Sequence, residues 1–280
     1  MSLINNQELS KVRKVEKQLL GELLRVCAEN NLKIFADGGT LLGAVREKGF
    51  IKDDDDIDLA MPRADYDKLV ELSDHFKPPY FLQSAYTDID YIRPHMQLRM
   101  DNTCGALKDE LQYVPFHQGI FIDIFPFDGV VQNKFNGKIQ WIRIQFYKHF
   151  LTFFWGHIPS ESKIKAKIKA LLHPISRVLN REIVYKKFEC LCKKYSANPE
   201  YITLLSFNKN YNLRTLNAEW YRGTVYIKFD DITIPVPIEY EKVLTAKFGD
   251  WRTPTPGTMH GDTIFSTEKN YKIIREEQNA

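Results

Sequence analysis

KIFADGGTLLGAVREKGFIKDDDDIDLAMPRADYD, residues 33–67, decides how the rest of the chain is read. It sets a Gly38-Gly39-Thr40 turn, a short amphipathic segment and an Asp-rich strand start within one supersecondary unit. TLLGAVREK after the glycines predicts a short helix, and Ile57 to Met61 a strand. Side chains alternate along a strand, so Asp56 and Asp58 would share one face, with carboxylates about 7 Å apart. Paired carboxylates suit hard divalent cations, which take oxygen ligands. A Gly-Gly turn lets backbone N–H groups approach a phosphate. Together they are the minimal kit for metal-assisted phosphoryl transfer. An Asp run ahead of an apolar strand also serves as a solvated turn. Four adjacent aspartates exceed what such a turn needs, and with the Gly-Gly-Thr turn at this spacing the metal reading is preferred.

Downstream, GIFIDIF (119–125) is apolar enough for a strand buried on both faces. Asp123 inside it is costly unless paired or metal-bound. With no basic neighbour in sequence it reads as a third carboxylate, the alternative being a hydrogen-bonded structural residue. For Asp128, a turn role and a site role stay open.

These residues carry a family resemblance. GGTLLGAVR (38–46), GFI (49–51), DDDID (54–58) and MPR (61–63), continued at GIFIDIFPFD (119–128), resemble the signature of the LicD family. Those are phosphocholine-transferase-like proteins of the nucleotidyltransferase-fold superfamily, and the fukutin-type proteins are similar to them. A weaker echo runs from Tyr240-Glu241 through FGDW (248–251) to His260-Gly261. The resemblance implies an α+β fold, a nucleotidyltransferase-like mixed β-sheet flanked by helices. It also implies Mg²⁺ or Mn²⁺ on Asp56, Asp58 and Asp123, with donor phosphate at Gly38, Gly39 and Thr40. The donor would be CDP-choline, the group moved phosphocholine, and the acceptor a lipid-linked glycan precursor of a teichoic acid or lipopolysaccharide. The same kit would serve transfer of ribitol or glycerol phosphate, or of a nucleotidyl group. A metal-dependent glycosyltransferase also uses Asp-x-Asp, but does not need the upstream glycine turn.

Arg46 and Arg63 would fork onto the donor phosphate or serve as surface arginines. His260, in the Pro/Gly-rich TPTPGTMHGD, is either an exposed loop residue or, on the resemblance, a site residue deprotonating the acceptor or binding phosphate. Trp220, Tyr221, Trp251 and Tyr113 are candidates for an aromatic cage around choline, against ordinary core packing. Gln97 and Arg99 alternate with Met96, Leu98 and Met100; either could face the site, and a solvent-facing alternation is the expectation for them.

The 280 residues suit one large domain or a core with an elaboration. The reading is a catalytic core over 1–133, a basic helical segment over 134–215, and C-terminal strands, helix and loop over 216–280 completing the core. Residues 134–194 hold fourteen Lys and Arg against three Glu, a local +11 in a chain of net +3. The same segment contains WIRIQFYKHFLTFFWGHI, with aromatics almost all round a helix. Such a pair suits an anionic membrane surface; a buried helix beside a solvated basic one would look similar. No nucleic-acid module accompanies the charge, so nucleic acid is not expected as a partner. The four cysteines lack metal-type spacing and read as reduced thiols. No leader pattern is visible at the start, so a cytoplasmic site, possibly peripheral on the inner membrane face, is the expectation.

Overall fold

The sheet that carries the acidic strand has the order β1-β2-β6-β4-β3. β2 (Asp58–Pro62) and β6 (Phe121–Val130) run parallel at its centre. β1 (Phe35–Ala36), β4 (Met96–Met100) and β3 (Tyr80–Gln83) join antiparallel. The far end of β6 extends to β7 (Tyr201–Thr203) and then β8 (Leu216–Asn217). This is a mixed sheet in an α+β protein. The structure is a computed structural model and describes residues 6–52, 54–131, 133–155, 164, 167–168, 171, 174, 178–207, 215–254 and 263–279.

One face of the sheet is apolar because Ile122 and Ile124 of β6 point the same way as Met96 and Leu98 of β4, their register partners. Helix α1 (Asn6–Glu29) covers it with Val12, Leu19, Leu20, Leu23 and Val26, spaced by three and four as a buried helix face requires. Asn31, in the left-handed region at φ 54°, turns the chain out of α1 into the short β1. This strand pairs only at Phe35 and Ala36, although Leu32 and Ile34 before it are also buried. Helix α2 (Gly38–Arg46) returns the chain to β2, and α3 (Arg63–Glu71) follows directly from Pro62.

Beyond β6 the chain builds a second core. Asn133 caps α4 (Lys134–Leu151) by accepting from the N–H groups of Phe135 and Asn136, each at 3.1 Å. Asn180 does the same for α5 (Arg181–Lys193) through Ile183. Ile144 and Leu151 pack against Val184, Tyr185, Phe188 and Cys192. The expected helix with aromatics all round is therefore two-faced: one side is packed and the other stays in water.

Asp230 and Asp231 turn a hairpin, with β9 (Thr224–Phe229) paired to β10 (Ile232–Pro237) and Asp230 at φ 54°. α6 (Tyr240–Phe248) ends at Gly249, whose φ of 69° suits a residue without Cβ. Two further elements had no sequence signal. β11 (Thr263–Ser266) pairs with β5 (Cys104–Leu107), and α7 (Tyr271–Asn279) sets Tyr271 against Cys104 and Leu111. The four thiols are free, and only that of Cys190 is exposed. Among the described residues no helix is long and apolar enough to cross a membrane.

Candidate active site

A polar row crosses the face of the sheet opposite α1. Asp58 of β2 is register partner of Asp123 of β6, Asp123 of Gln97 of β4, and Gln97 of Gln83 of β3. Directly opposed residues point to the same side, so these four side chains stand in line across four strands. Gln97 Nε2 donates to Asp123 Oδ1 at 2.7 Å, and His95 Nε2 lies 3.1 Å from the same oxygen. Gln97 and Arg99 are thus buried site-support residues and not a solvent-facing alternation. Arg99 donates to both Gln83 and Gln97 and its guanidinium covers the Phe121 ring at 4.7 Å. Asp123 does have a basic neighbour, though not one adjacent in sequence.

Asp56 lies in the extended approach to β2, which begins only at Asp58. Its carboxylate meets those of Asp54 and Asp55, with one oxygen of each within 4.8 Å of the others. Burial first, and then Asp56, Asp123, Asp37 and Asp54, push the Asp58 carboxyl well above the usual carboxylate range. Burial acts in the same direction on Asp123, but His95, Gln97 and Arg93 outweigh it and hold that carboxyl below its ordinary value. Asp58 and Asp123 are thus neighbours on parallel strands and Asp56 acts on Asp58 from the preceding loop, while among the described residues the carboxylates close enough to share one ion are those of Asp54, Asp55 and Asp56. Such a concentration of carboxylate oxygens fits a hard divalent cation.

The glycines make room for these acids. A Cβ on Gly38, at φ 51°, would lie 2.8 Å from Asp58 Oδ2, and one on Gly39 would lie 2.9 Å from Asp54 Oδ2. Both open the first turn of α2, where N–H groups point outward and favour negative charge. Asp37 precedes them without capping the helix; its carboxylate is instead ion-paired with Lys247 of α6, both side chains almost fully buried. Thr40 is committed locally, its Oγ1 accepting the Asp58 N–H at 2.8 Å, so it fixes the strand start that it had been expected to complement as a phosphate ligand.

Two arginines sit elsewhere. Arg46 is at the far end of α2, about 12 Å from Gly38 at 1.5 Å per residue. There it pairs with Glu47 at 2.7 Å and donates to the Trp251 carbonyl at 3.3 Å. Arg63 lies five residues beyond Asp58, about 16 Å along the strand direction. It makes a two-pronged buried contact with Asp128, Nε to Oδ1 at 2.7 Å and Nη2 to Oδ2 at 2.9 Å. Asp128 is accordingly a fully buried strand residue paired with a structural arginine, and not part of a turn. His260 lies outside the described residues.

The four cage aromatics are not gathered around the acids. Tyr221 is buried against Phe35 and Phe127, Trp251 donates to Thr245 and stacks with Arg252, Trp220 packs on the main core and Tyr113 is exposed. The rings on the Asp123 side are Phe125, Phe207 and His95, with centroids 4.8–5.2 Å apart. Burial lowers the His95 pKa against the pull of Asp123, so the ring is held neutral with Nε2–H donated to Asp123.

Supporting residues missed in the sequence come from distant positions. Arg13 of α1 donates to the carbonyls of Ile51 and Asp54 at 2.7–3.0 Å and so clamps the acidic loop. Glu16, one turn on, is fully buried, and Oε2 has no hydrogen-bond partner. Burial, then Asp56 and Asp55, raise its pKa well above the usual value, which keeps it a neutral acid beneath the loop.

Residues 31–155 match the family described as LicD/FKTN/FKRP, nucleotidyltransferase domain. The chain is 24% identical over 239 residues to the lipopolysaccharide cholinephosphotransferase LicD of Haemophilus influenzae, covering 82% of this chain and 86% of that protein. An uncharacterized protein of Rickettsia prowazekii is 36% identical over 78 residues, 28% of this chain and 27% of its own. One of Rickettsia typhi is 37% identical over 60 residues, 21% and 19% of the two chains.

Proposed function

The chain belongs to the LicD family, and from that premise we propose that it transfers phosphocholine from CDP-choline to a hydroxyl of a cell-surface glycan precursor. The observation that carries this is the in-register pair Asp58–Asp123 with Asp56 beside it, at the mouth of a glycine-opened helix. The mixed sheet is read as nucleotidyltransferase-like, a reading that the match over residues 31–155 supports.

In this reading Asp56, Asp58 and Asp123 would hold Mg²⁺ or Mn²⁺, and the ion would supply neutralisation of charge on the donor pyrophosphate. The first turn of α2 presents its N–H groups to the same phosphates, and Gly38 and Gly39 leave space for them. Lys247, already at Asp37, adds a cation at that end of the helix. His95 and Gln97 fix the orientation of Asp123, as outer partners of a ligating carboxylate do. The acceptor oxygen forms a bond to the choline-bearing phosphorus, the bond to CMP breaks, and CMP leaves. The hydroxyl proton passes to a base, for which His260 is the candidate from sequence. Phe125 and Phe207 supply the nearest aromatic faces for the trimethylammonium group. The acceptor is a lipid-linked precursor of lipopolysaccharide or a teichoic acid, met at the cytoplasmic membrane face.

Incubation with CDP-choline, CDP-ribitol and CDP-glycerol, each with Mg²⁺ or Mn²⁺, tests the proposal by CMP release. CMP from CDP-choline alone supports it. Release only from an alditol donor would move the assignment to ribitol or glycerol phosphate, and a product retaining the nucleotide would make the protein a nucleotidyltransferase.

A further inference from the structure

Helix α4 has two faces of opposite character. Gly137, Gln140, Ile144 and Leu151 are buried toward α5, whereas Phe135, Ile139, Ile142 and Phe146 are exposed, the two phenylalanines at 73% and 64%. The spacings of four, three and four residues put the exposed set within an arc of about 60° at ~100° per residue. Lys138 flanks that stripe on one side and Arg143 on the other, both exposed. The helix contains no acidic residue. Ile164, Ile168 and Leu171, also helical and exposed, repeat the spacing of four and three. They lie among Lys163, Lys165, Lys167 and Lys169 in sequence.

A water-facing stripe of Phe and Ile is unfavourable unless something covers it. A protein partner would need an acidic rim around an apolar centre, whereas a bilayer rich in anionic lipid supplies both features over any area. The helix is too short and too basic to cross a membrane, which leaves it to lie in the interface with its apolar side down. We propose that the Phe135–Ile139–Ile142–Phe146 face of α4 docks on an anionic lipid surface, with Lys138 and Arg143 at the headgroups. This deepens the proposed function and rests on it in one respect only: a lipid-linked acceptor would give such docking its purpose.

Co-sedimentation of the full chain with vesicles of phosphatidylglycerol and phosphatidylcholine, against vesicles of phosphatidylcholine alone, tests it. Binding to the anionic vesicles only is expected, weakened at least about tenfold by Phe135→Ser with Phe146→Ser, and similarly by Lys138→Glu with Arg143→Glu. Both pairs are surface changes and should leave melting temperature and metal-dependent CMP release in solution unaltered. Absence of anionic-vesicle binding would overturn the proposal. So would binding indifferent to both pairs, or a concentration-dependent dimer that the phenylalanine pair abolishes, since a second copy would then cover the stripe. A wild-type chain that binds vesicles but releases no CMP would overturn the functional reading and leave the docking surface standing.

Discussion

Asp58 and Asp123 sit side by side on parallel strands, one residue facing its register partner, and the carboxyl of one is pushed up while that of the other is held down. The difference lies in what surrounds them. Asp123 has His95 and Gln97 as partners, whereas Asp58 faces Asp56, Asp37 and Asp54. The carboxylates gathered on the Asp58 side make that side the place where a cation would be most strongly stabilised.

Replacing Asp58 or Asp56 by Asn should abolish CMP release, by about a thousandfold or more, if both hold the metal that stabilises developing charge. Circular dichroism should show the fold retained. Turnover within tenfold of wild type for either variant would remove these residues from the mechanism.

The pH dependence of stability has a definite sign. Because its pKa is raised on folding, Asp58 binds its proton more tightly in the folded chain than in the unfolded one. It therefore costs stability progressively as pH rises above about 4, where the unfolded residue ionises. In metal-free buffer Asp58→Asn should melt higher than wild type, with a gap that widens with pH. About 1 kcal/mol would appear as roughly 2–4 °C in a chain near this size. Mg²⁺ at a hundred times its dissociation constant should stabilise the wild type by about 2.7 kcal/mol and the variant by much less. Melting curves across pH, with and without the ion, check both statements.

Gly38→Ala should damage the site more than the fold. The new methyl would enter a backbone at φ 51° and press on Asp58 Oδ2. A cost of about 1–2 kcal/mol in the left-handed conformation is expected, with activity down about tenfold to a hundredfold. An alanine variant with normal kinetics would mean that neither the helix start nor Asp58 needs its present position.

Removing Asp128 strands a buried guanidinium. Asp128→Ala should destabilise the protein by about 3–5 kcal/mol, measured by denaturant titration, because Arg63 would keep its charge with only the weaker contacts to Asp67 and Glu189. Donor KM measured on the folded fraction should stay near wild type, which separates this pair from phosphate binding.

Phe207→Ala should raise the KM for CDP-choline by about fivefold to thirtyfold while leaving CDP-glycerol unchanged, the size of one or two cation–π contacts. An equal effect on both donors would reduce Phe207 to a packing residue for His95 and Phe125.

What the sequence reveals of this molecule is mostly local. The short helix at the glycines, the strand that follows the Asp run and the strand around Asp123 each depend on a few adjacent residues and their backbone preferences, and all stand in the structure. The alternation Met96-Gln97-Leu98-Arg99-Met100 was equally legible, but not the destination of its polar half. Polar residues on a strand point to water unless another strand brings an acid opposite, and Asp123 is 26 residues away. Arg63 and Asp128, 65 residues apart, read separately as a phosphate or surface arginine and as a site or turn aspartate, and only their pairing gives them one role. Lys247 and Asp37, 210 residues apart, gave no sign at all. Short-range signals set elements; the charge partners that give each acid its role are chosen by the tertiary fold.

The Arg13 clamp bears on how the protein can be dissected. The family match begins at residue 31, and a shortened polypeptide starting there would keep every acidic and glycine residue of the match. It would also lose the guanidinium that tethers the Ile51 and Asp54 carbonyls, and the leucines that shield the back of the sheet. The amino-terminal helix is thus the floor on which the acidic loop is fastened, and an inert truncated protein would say nothing about the chemistry of the intact one.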